Sequence, residues 1–91
     1  IQEIMTAAEL GLGIPFVVVD NGGYAEIRQN EVDRGMAPVG VDLVQPDWAA
    51  LATAFGATGR RAASRADIAP SIRAAIADGG VQLVHIPQHA L

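Results

Sequence analysis

Four residues between a strand-like stretch and a helix-like stretch combine groups that could bind a metal ion or a phosphate. They are Asp20-Asn21-Gly22-Gly23, and they end the β-branched run Phe16–Asp20. The Asn21 side-chain oxygen is a hard, neutral ligand suited to Mg²⁺, and glycines let the main chain approach a phosphate or present a carbonyl. Taken alone, however, the same residues favour an ordinary strand-to-helix turn over a binding site.

Two histidines stand near the end of the sequence. His85 lies in the strand-like segment Val81–Pro87, and His89 follows it in the tail. That spacing would place both rings on one side of a strand, but a zinc-like site needs further ligands. We therefore interpret both histidines as polar residues at a surface or a sheet edge.

Three further sets of residues allow a functional interpretation beside a structural one. Trp48 and Phe55 could form a ring-stacking platform, yet their helical spacing favours a core face. Arg60 and Arg61 could hold an anion, although a solvated strand end is preferred. Tyr24 directly follows the glycines, so it could border a bound cofactor or pack beneath the loop.

Helices and strands alternate along the chain, and this order must position the residues above. Apolar spacing predicts helices over residues 1–12, 24–34, 46–55 and 64–78, strands over 16–20, 58–63 and 81–87, and a connecting loop over 35–45. Strands joined through helices imply right-handed crossovers and a three-layer α/β/α fold with a parallel sheet of about three strands. The first strand lacks alternation, which predicts cover on both faces. Ligands bind beyond the carboxyl ends of such strands, which is where Asn21 lies.

Two helix starts carry more specific expectations. Pro46 stands at the start of the third helix, with Asp47 in its first turn. Ser64 and Asp67 have the spacing of a capping box at the fourth helix, with Asp in place of Glu or Gln. Pro70 removes an amide donor, so that helix either kinks or has a separate first turn.

Composition excludes several classes of protein. The 91 residues carry six basic residues against ten acidic ones, a formal net charge of −4, which argues against a nucleic-acid partner. Cysteine is absent, which excludes disulfides and thiolate metal sites. The apolar stretch Ile14–Val19 is too short to span a membrane, so we expect a soluble, cytoplasmic protein. The chain begins at Ile1 without a signal-peptide pattern, and we expect it to be a piece of a longer protein.

Two stretches, Ile1–Arg28 and Gly40–Ala57, resemble the C-terminal, diphosphate-binding domain of thiamine-diphosphate enzymes of the acetolactate synthase and 2-oxo acid decarboxylase family. In that family a Gly-Asp-Gly motif precedes a helix that begins with Gln-Glu, and the next strand ends in Asn-Asn. Gln2-Glu3 matches the helix start, and Asn21 matches the second Asn. The family's Gly-Asp-Gly would lie upstream of this chain, so the chain would be the C-terminal part of such a domain.

The resemblance implies a cofactor site in the loop. Asn21, Gly22, Gly23 and Tyr24 would contact thiamine diphosphate, and the Asn21 side chain and the Gly23 carbonyl would bind Mg²⁺. Asp20 departs from the family because Asn is usual there. Adjacent strand residues point to opposite faces, so we expect Asp20 to turn away from the metal and to accept hydrogen bonds from loop amides or a neighbouring segment.

The activity implied by the resemblance is that of a thiamine-diphosphate-dependent lyase or transferase acting on a 2-oxo acid, by decarboxylation, carboligation or both. The short path from Arg28 to Trp48 is more similar to a decarboxylase or synthase-like branch than to biosynthetic acetolactate synthases. No catalytic acid-base residue is expected in this chain. The remaining domains and a second subunit would complete the enzyme, so the isolated chain should be inactive. The alternative is a non-catalytic α/β module, or a degenerate family member with a role in assembly.

Overall fold

Helices and strands alternate along the chain in the computed structural model, which describes residues 1–91. The elements are α1 (Glu3–Glu9), β1 (Pro15–Asp20), α2 (Ala25–Asp33), α3 (Trp48–Ala54), β2 (Thr58–Arg61), α4 (Arg65–Asp78), β3 (Gln82–Pro87) and a final 3₁₀ turn (Gln88–Ala90). The predicted helices and strands are all present in the predicted order, with ends that differ by a few residues. None of the helices has the length and apolar character needed to cross a membrane.

The three strands form a parallel sheet in the order β1-β3-β2, so the last strand in the sequence is the central one. His85 of β3 is in register with Val18 of β1 on one side and with Arg61 of β2 on the other. Every residue of β3 is buried. The carboxyl ends of β1 and β3 lie side by side, where Asp20 is in register with Pro87.

Helices cover both faces of the sheet, which confirms the three-layer α/β/α arrangement. On one face, α1 and α3 pack against β3. The buried residues there, which we call the α1/α3 cluster, are Ile4, Ala7, Ala52, Val81 and Leu83, and Phe16, Val18, Trp48 and Phe55 pack around them. On the other face, α4 packs through Ala62, Ala75, Val84, Ile86 and Ala90, with Ile68 and Ile72 beside them. By contrast, α2 contributes no buried residue.

The first strand is covered on one face only. Phe16 and Val18 pack against the α1/α3 cluster, whereas Val17 is 46% exposed and Val19 is 53% exposed. The prediction of cover on both faces is therefore wrong for these 91 residues. The physical reason is that β1 is an edge strand, while α4 lies mainly over the central strand β3.

The start of α3 differs from the prediction by two residues. Asp47 is the N-cap, and its Oδ1 accepts a hydrogen bond from the Ala50 amide at 3.0 Å. Pro46 therefore lies before the cap rather than at the first helical position. Capping by Asp47 brings Trp48 to the first turn of a helix that packs on the sheet.

The start of α4 also departs from the prediction. Ser64 is the N-cap, but its Oγ donates to Asp67 Oδ2 at 2.9 Å, and its side chain caps no backbone amide. Pro70 lies inside a helix that is continuous over Arg65–Asp78, so the first turn is not a separate piece. The apolar face of this helix, which includes Ile68 and Ile72, packs on the sheet on both sides of the proline.

Candidate functional site

The residues after β1 form an exposed loop at the carboxyl end of the sheet. Asn21, Gly23 and Tyr24 line a pocket of about 290 Å³ together with the first turn of α2, Ala25, Glu26 and Ile27. The structure thus brings together three of the four residues predicted from the sequence. Tyr24 is 56% exposed, so it borders the pocket and does not pack beneath the loop.

Gly22, the fourth predicted residue, is held by hydrogen bonds on both of its backbone groups. Its amide donates to Asp20 Oδ1 at 2.8 Å, and its carbonyl accepts from the Leu43 amide at 3.0 Å. The next bond in this short ladder runs from the Tyr24 amide to the Val41 carbonyl at 2.8 Å. The loop is therefore fixed by the end of β1 and by residues 41–43.

Gly23 is required by a close approach of two backbone segments. It adopts φ 154°, and a Cβ at this position would collide with the Val41 carbonyl oxygen. The hypothesis from the sequence was that glycine in this loop lets the main chain approach a phosphate. In the structure, protein backbone occupies the space that a Cβ of Gly23 would take. The neighbouring Gly22, by contrast, has open space where its Cβ would lie.

Two neutral oxygens in the loop remain uncommitted. The Asn21 side chain makes no hydrogen bond within the chain, and the bridge between Gly23 and Asp42 leaves the Gly23 carbonyl without a partner. Amide and carbonyl oxygens are hard ligands that can bind Mg²⁺, which commonly takes its remaining ligands from phosphate and water. No group of three or more His, Asp or Glu side chains is placed to hold a metal ion. The donor set therefore fits a metal that arrives with an anionic ligand.

Beneath the loop, Asp20 forms a buried pair with a histidine of the central strand. Asp20 Oδ2 lies 3.1 Å from His85 Nε2, and the two side chains are only 11% and 10% exposed. The sequence predicts that Asp20 accepts hydrogen bonds from loop amides or a neighbouring segment, and in the structure it contacts both, the Gly22 amide and His85. The interpretation of His85 as a surface or edge residue is wrong, because the last strand of the sequence is the middle strand of the sheet.

The second histidine lies outside this arrangement. His89 is exposed, and its Nε2 lies 3.1 Å from the carbonyl oxygen of Ala63. The two histidines thus bond to different groups in different parts of the structure. This agrees with the preference for a structural interpretation over a metal pair.

The connecting segment 35–45 is fastened to α2. Arg28 Nε lies 3.3 Å from Asp42 Oδ1, and the Val39 amide donates to Glu31 Oε2 at 3.2 Å. Within the segment Val41 is buried, whereas Val44 is fully exposed. Residues 41–43 of the segment therefore support the loop, whereas Val44 faces solvent. No local sequence pattern indicates that residues 41–43 pair with the loop.

The aromatic candidates of α3 belong to the core, as predicted. Trp48 and Phe55 both pack against the α1/α3 cluster. The Trp48 ring centroid lies 6.5 Å from that of His85 at an interplanar angle of 55°. Trp48 therefore packs in the core near the buried pair.

Arg60 is more than a solvated strand end. Its Nη2 is paired with Asp78 at the end of α4 and also donates to Gln82 Oε1 at 3.1 Å. Gln82 in turn donates to the Gly79 carbonyl at 2.8 Å. Arg60 therefore links β2 to the turn that precedes β3, and it does not serve as a free anion site.

The start of α1, where Gln2 and Glu3 match the family motif, faces a second cavity. This apolar cavity of about 370 Å³ is lined by Ile1, Glu3, Ile4, Phe16, Val17, Val18 and Trp48. A backbone hydrogen bond to its carboxylate holds the pKa of Glu3 below its ordinary value. Glu3 is exposed, and no residue lines both this cavity and the loop pocket.

Comparison with known proteins identifies the family of the chain. Residues 1–86 match the family described as "Thiamine pyrophosphate enzyme, C-terminal TPP binding domain". The chain is 33% identical over 91 residues to a probable 2-ketoarginine decarboxylase from Pseudomonas aeruginosa, in an alignment that covers 98% of this chain and 16% of that protein. The chain thus spans less than a fifth of the length of this relative. Since the family match includes every helix and all but the final residue of β3, the chain belongs to the C-terminal thiamine-diphosphate-binding domains of thiamine-diphosphate-dependent enzymes.

Proposed function

We propose that the chain is the C-terminal part of the cofactor-binding domain in a larger enzyme that decarboxylates a 2-oxo acid. In this proposal the loop 21–24 holds the magnesium-bound diphosphate of thiamine diphosphate. The observation that carries the proposal is the pair of uncommitted neutral oxygens, on Asn21 and Gly23, that lie by one pocket beyond the carboxyl end of a parallel strand. Ligands of α/β sheets bind at such strand ends.

Each loop residue has a distinct part in holding the cofactor. The Asn21 side chain and the Gly23 carbonyl provide metal ligands, and Gly22 keeps the backbone between them in a fixed conformation. Tyr24 borders the same pocket and limits its width. Thiamine diphosphate, when bound, would supply the electron sink for loss of CO₂ from a 2-oxo acid. The chain's own residues bind and orient, and no catalytic acid or base is assigned among them.

Decarboxylation is favoured over acetolactate synthesis or another transfer reaction. The relative from Pseudomonas aeruginosa carries the name of a decarboxylase. The path between α2 and α3 is also short, as in the decarboxylase or synthase-like branches. Carboligation, which would make the enzyme a transferase, is the second candidate.

Other protein is needed to complete this enzyme. Large apolar side chains are exposed on several elements, among them Leu10, Val17, Val19, Val39 and Val44. Exposed apolar side chains that share one face, such as Val17 and Val19 on the uncovered face of β1, are suited to contact with other protein. We propose that the remaining domains and a second subunit of a homo-oligomer cover part of this apolar surface. The isolated chain should therefore turn over no 2-oxo acid, and turnover of pyruvate by these 91 residues alone would contradict this.

The alternative function is that of a degenerate member with a role in assembly only, in which Asp20 marks a lost site. The Asp20 side chain is only 11% exposed and does not line the pocket, because its two oxygens are directed at His85 Nε2 and the Gly22 amide. The departure from Asn at this position is thus compatible with cofactor binding. This observation favours the enzyme over the degenerate module.

The experiment that tests the proposal replaces Asn21 in the complete protein. Loss of one metal ligand in Asn21→Ala should raise the Kd for thiamine diphosphate at fixed Mg²⁺ by roughly ten- to hundredfold. The melting temperature of the cofactor-free protein should hardly change, because the side chain is exposed. Asn30→Ala is the matched control, since Asn30 is an exposed asparagine of α2 outside the pocket. Equal affinity in the Asn21 variant and the parent would exclude Asn21 from the metal site.

A further inference from the structure

Few polar residues are buried in this chain, and one of them, His85, bonds to the residue that precedes the cofactor loop. Of 14 buried residues, the polar ones are Gln82 and His85. Gln82 bonds to Gly79 and Arg60, at the opposite end of β3 from the loop. His85 bonds to Asp20, which is the last residue before the loop. Burial of a polar group destabilises the fold unless the group is hydrogen-bonded, and the contact with Asp20 meets this requirement for His85.

The Asp20 carboxylate joins the sheet to the loop through its two oxygens. Oδ2 lies 3.1 Å from His85 Nε2, and because a carboxylate oxygen accepts, we assign the ring proton of this contact to Nε2. Oδ1 accepts from the Gly22 amide at 2.8 Å. That second bond closes a turn across Asn21, the residue between them. The position of Asn21 therefore depends on where the Asp20 carboxylate is held.

The His85 ring is held by rigid parts of the fold. Its backbone lies in the central strand, with Val18 and Arg61 in register on either side. The Trp48 ring packs near it from the first turn of α3. The loop is thereby connected to the core through side chains rather than through the backbone of β1 alone.

We propose that Asp20 and His85 are positioning residues for the cofactor loop, in which His85 fixes the carboxylate that holds the Gly22 amide and so orients Asn21 toward the metal. The proposal rests on the function proposed above. Groups that orient a metal ligand without touching the metal commonly change metal affinity by roughly ten- to hundredfold when they are removed. Neither residue touches the substrate or the cofactor in this role.

The test uses the complete protein, three single variants of the pair, and the double variant that combines His85→Leu with Asp20→Ala. His85→Leu removes the donor, Asp20→Ala removes the carboxylate, and His85→Gln retains an N–H donor. We expect His85→Leu and Asp20→Ala each to raise the Kd for thiamine diphosphate at fixed Mg²⁺ by at least about tenfold. His85→Gln should restore most of the affinity. In the double variant the two effects should not add, because His85 acts through Asp20.

A second measurement does not depend on the loaded enzyme. Amide hydrogen exchange of residues 20–24 in the cofactor-free protein should become faster in His85→Leu, most clearly at Gly22. His89→Leu is the matched control, since that histidine is exposed and bonds to Ala63. It should change neither the exchange nor the Kd. If His85→Leu does not fold, Asp20→Ala at the strand end provides the same two measurements.

The outcomes separate this proposal from the function it rests on. If Asn21→Ala weakens cofactor binding while His85→Leu and Asp20→Ala leave the Kd and the Gly22 exchange unchanged, the positioning role is wrong and the metal loop stands. A lower melting temperature with unchanged Kd and exchange would make the pair merely structural, which also overturns the proposal. If Asn21→Ala itself has no effect, the metal loop is wrong; faster exchange at Gly22 in His85→Leu would then still support the mechanical link.

Discussion

The ends of β1 and β3 lie side by side in the sheet, yet they are built in opposite ways. We call residues 20–24, at the end of β1, the open end, and residues 87–90, at the end of β3, the closed end. After β1 the chain continues into an exposed loop with two glycines and two uncommitted oxygens. After β3 it continues through buried Pro87 into a 3₁₀ turn whose last residue, Ala90, is completely buried. Ala90 packs with Ala75 of α4 and Val84 of β3 in the second core cluster.

The difference shows how a small domain combines a binding site with a core. At the end of β3 the Ala90 side chain fills space in the core, so the chain there stabilises the sheet. At the end of β1 the backbone is held by hydrogen bonds to Asp20 and to residues 41–43, while the Asn21 side chain stays free. The loop is thus fixed without using the groups that a metal needs, which is the condition for a preorganised site.

The largest effect is expected at the closed end, from Ala90→Asp. A carboxylate at a position with no solvent exposure and no cationic partner should lower the free energy of unfolding by about 3–5 kcal/mol. Chemical unfolding of the cofactor-free protein measures this, with Gln88→Asp as the control, since Gln88 lies in the same turn and is exposed. Similar unfolding curves for the two variants would mean that the two strand ends differ less than their packing indicates.

The next effect is expected at the open end, from Gly23→Ala. The added Cβ would meet the Val41 carbonyl, and φ 154° is a conformation that residues with a Cβ rarely adopt. We expect a loss of about 2–3 kcal/mol in unfolding free energy. The loop must also move away from residues 41–43, so the Kd for thiamine diphosphate should rise. Full affinity in this variant would show that the contact with Val41 is unimportant for the site.

The chemistry of the open end could be predicted from local sequence, but its support could not. A β-branched strand followed by Asp20-Asn21-Gly22-Gly23 locates the loop, and strand alternation predicts that Asp20 and Asn21 face different ways. The partner of Asp20 lies 65 residues later in a run of apolar residues. That pairing depends on β3 lying between β1 and β2, and strand order is not encoded in any local pattern.

The same reason explains the errors about burial. Continuous apolar residues in β1 indicate contact on both faces, but the sequence does not show which helix lies over which strand. The structure places α4 over β3, which leaves Val17 and Val19 half-exposed. Likewise, the glycine at position 23 is visible in the sequence, whereas its approach to Val41 exists only in the folded chain.

A smaller effect is expected from Gly22→Ala, which separates backbone strain from collision. Gly22 has φ 81°, but a Cβ there would have nothing within 4 Å. The cost should be about 1–2 kcal/mol, from the left-handed conformation alone. Because both backbone hydrogen bonds can persist, the Kd for the cofactor should change less than in Gly23→Ala. A larger loss of affinity in Gly22→Ala than in Gly23→Ala would indicate that the cofactor approaches Gly22 closely.

The smallest effect is expected from Arg28→Ala, which removes the ion pair with Asp42 at the outer side of the open end. Both side chains are substantially exposed, at 47% and 75%, so the pair should contribute only about 0.2–1 kcal/mol. The loop should keep its bonds to residues 41–43, and the Kd for the cofactor should stay within about threefold of the parent, less than 1 kcal/mol. A double-mutant cycle with Asp42→Ala, measured by chemical unfolding at low and high salt, isolates this pair from the backbone ladder beside it. A coupling energy of several kcal/mol that persists at high salt would mean that the ion pair, rather than the backbone hydrogen bonds, holds the open end in place.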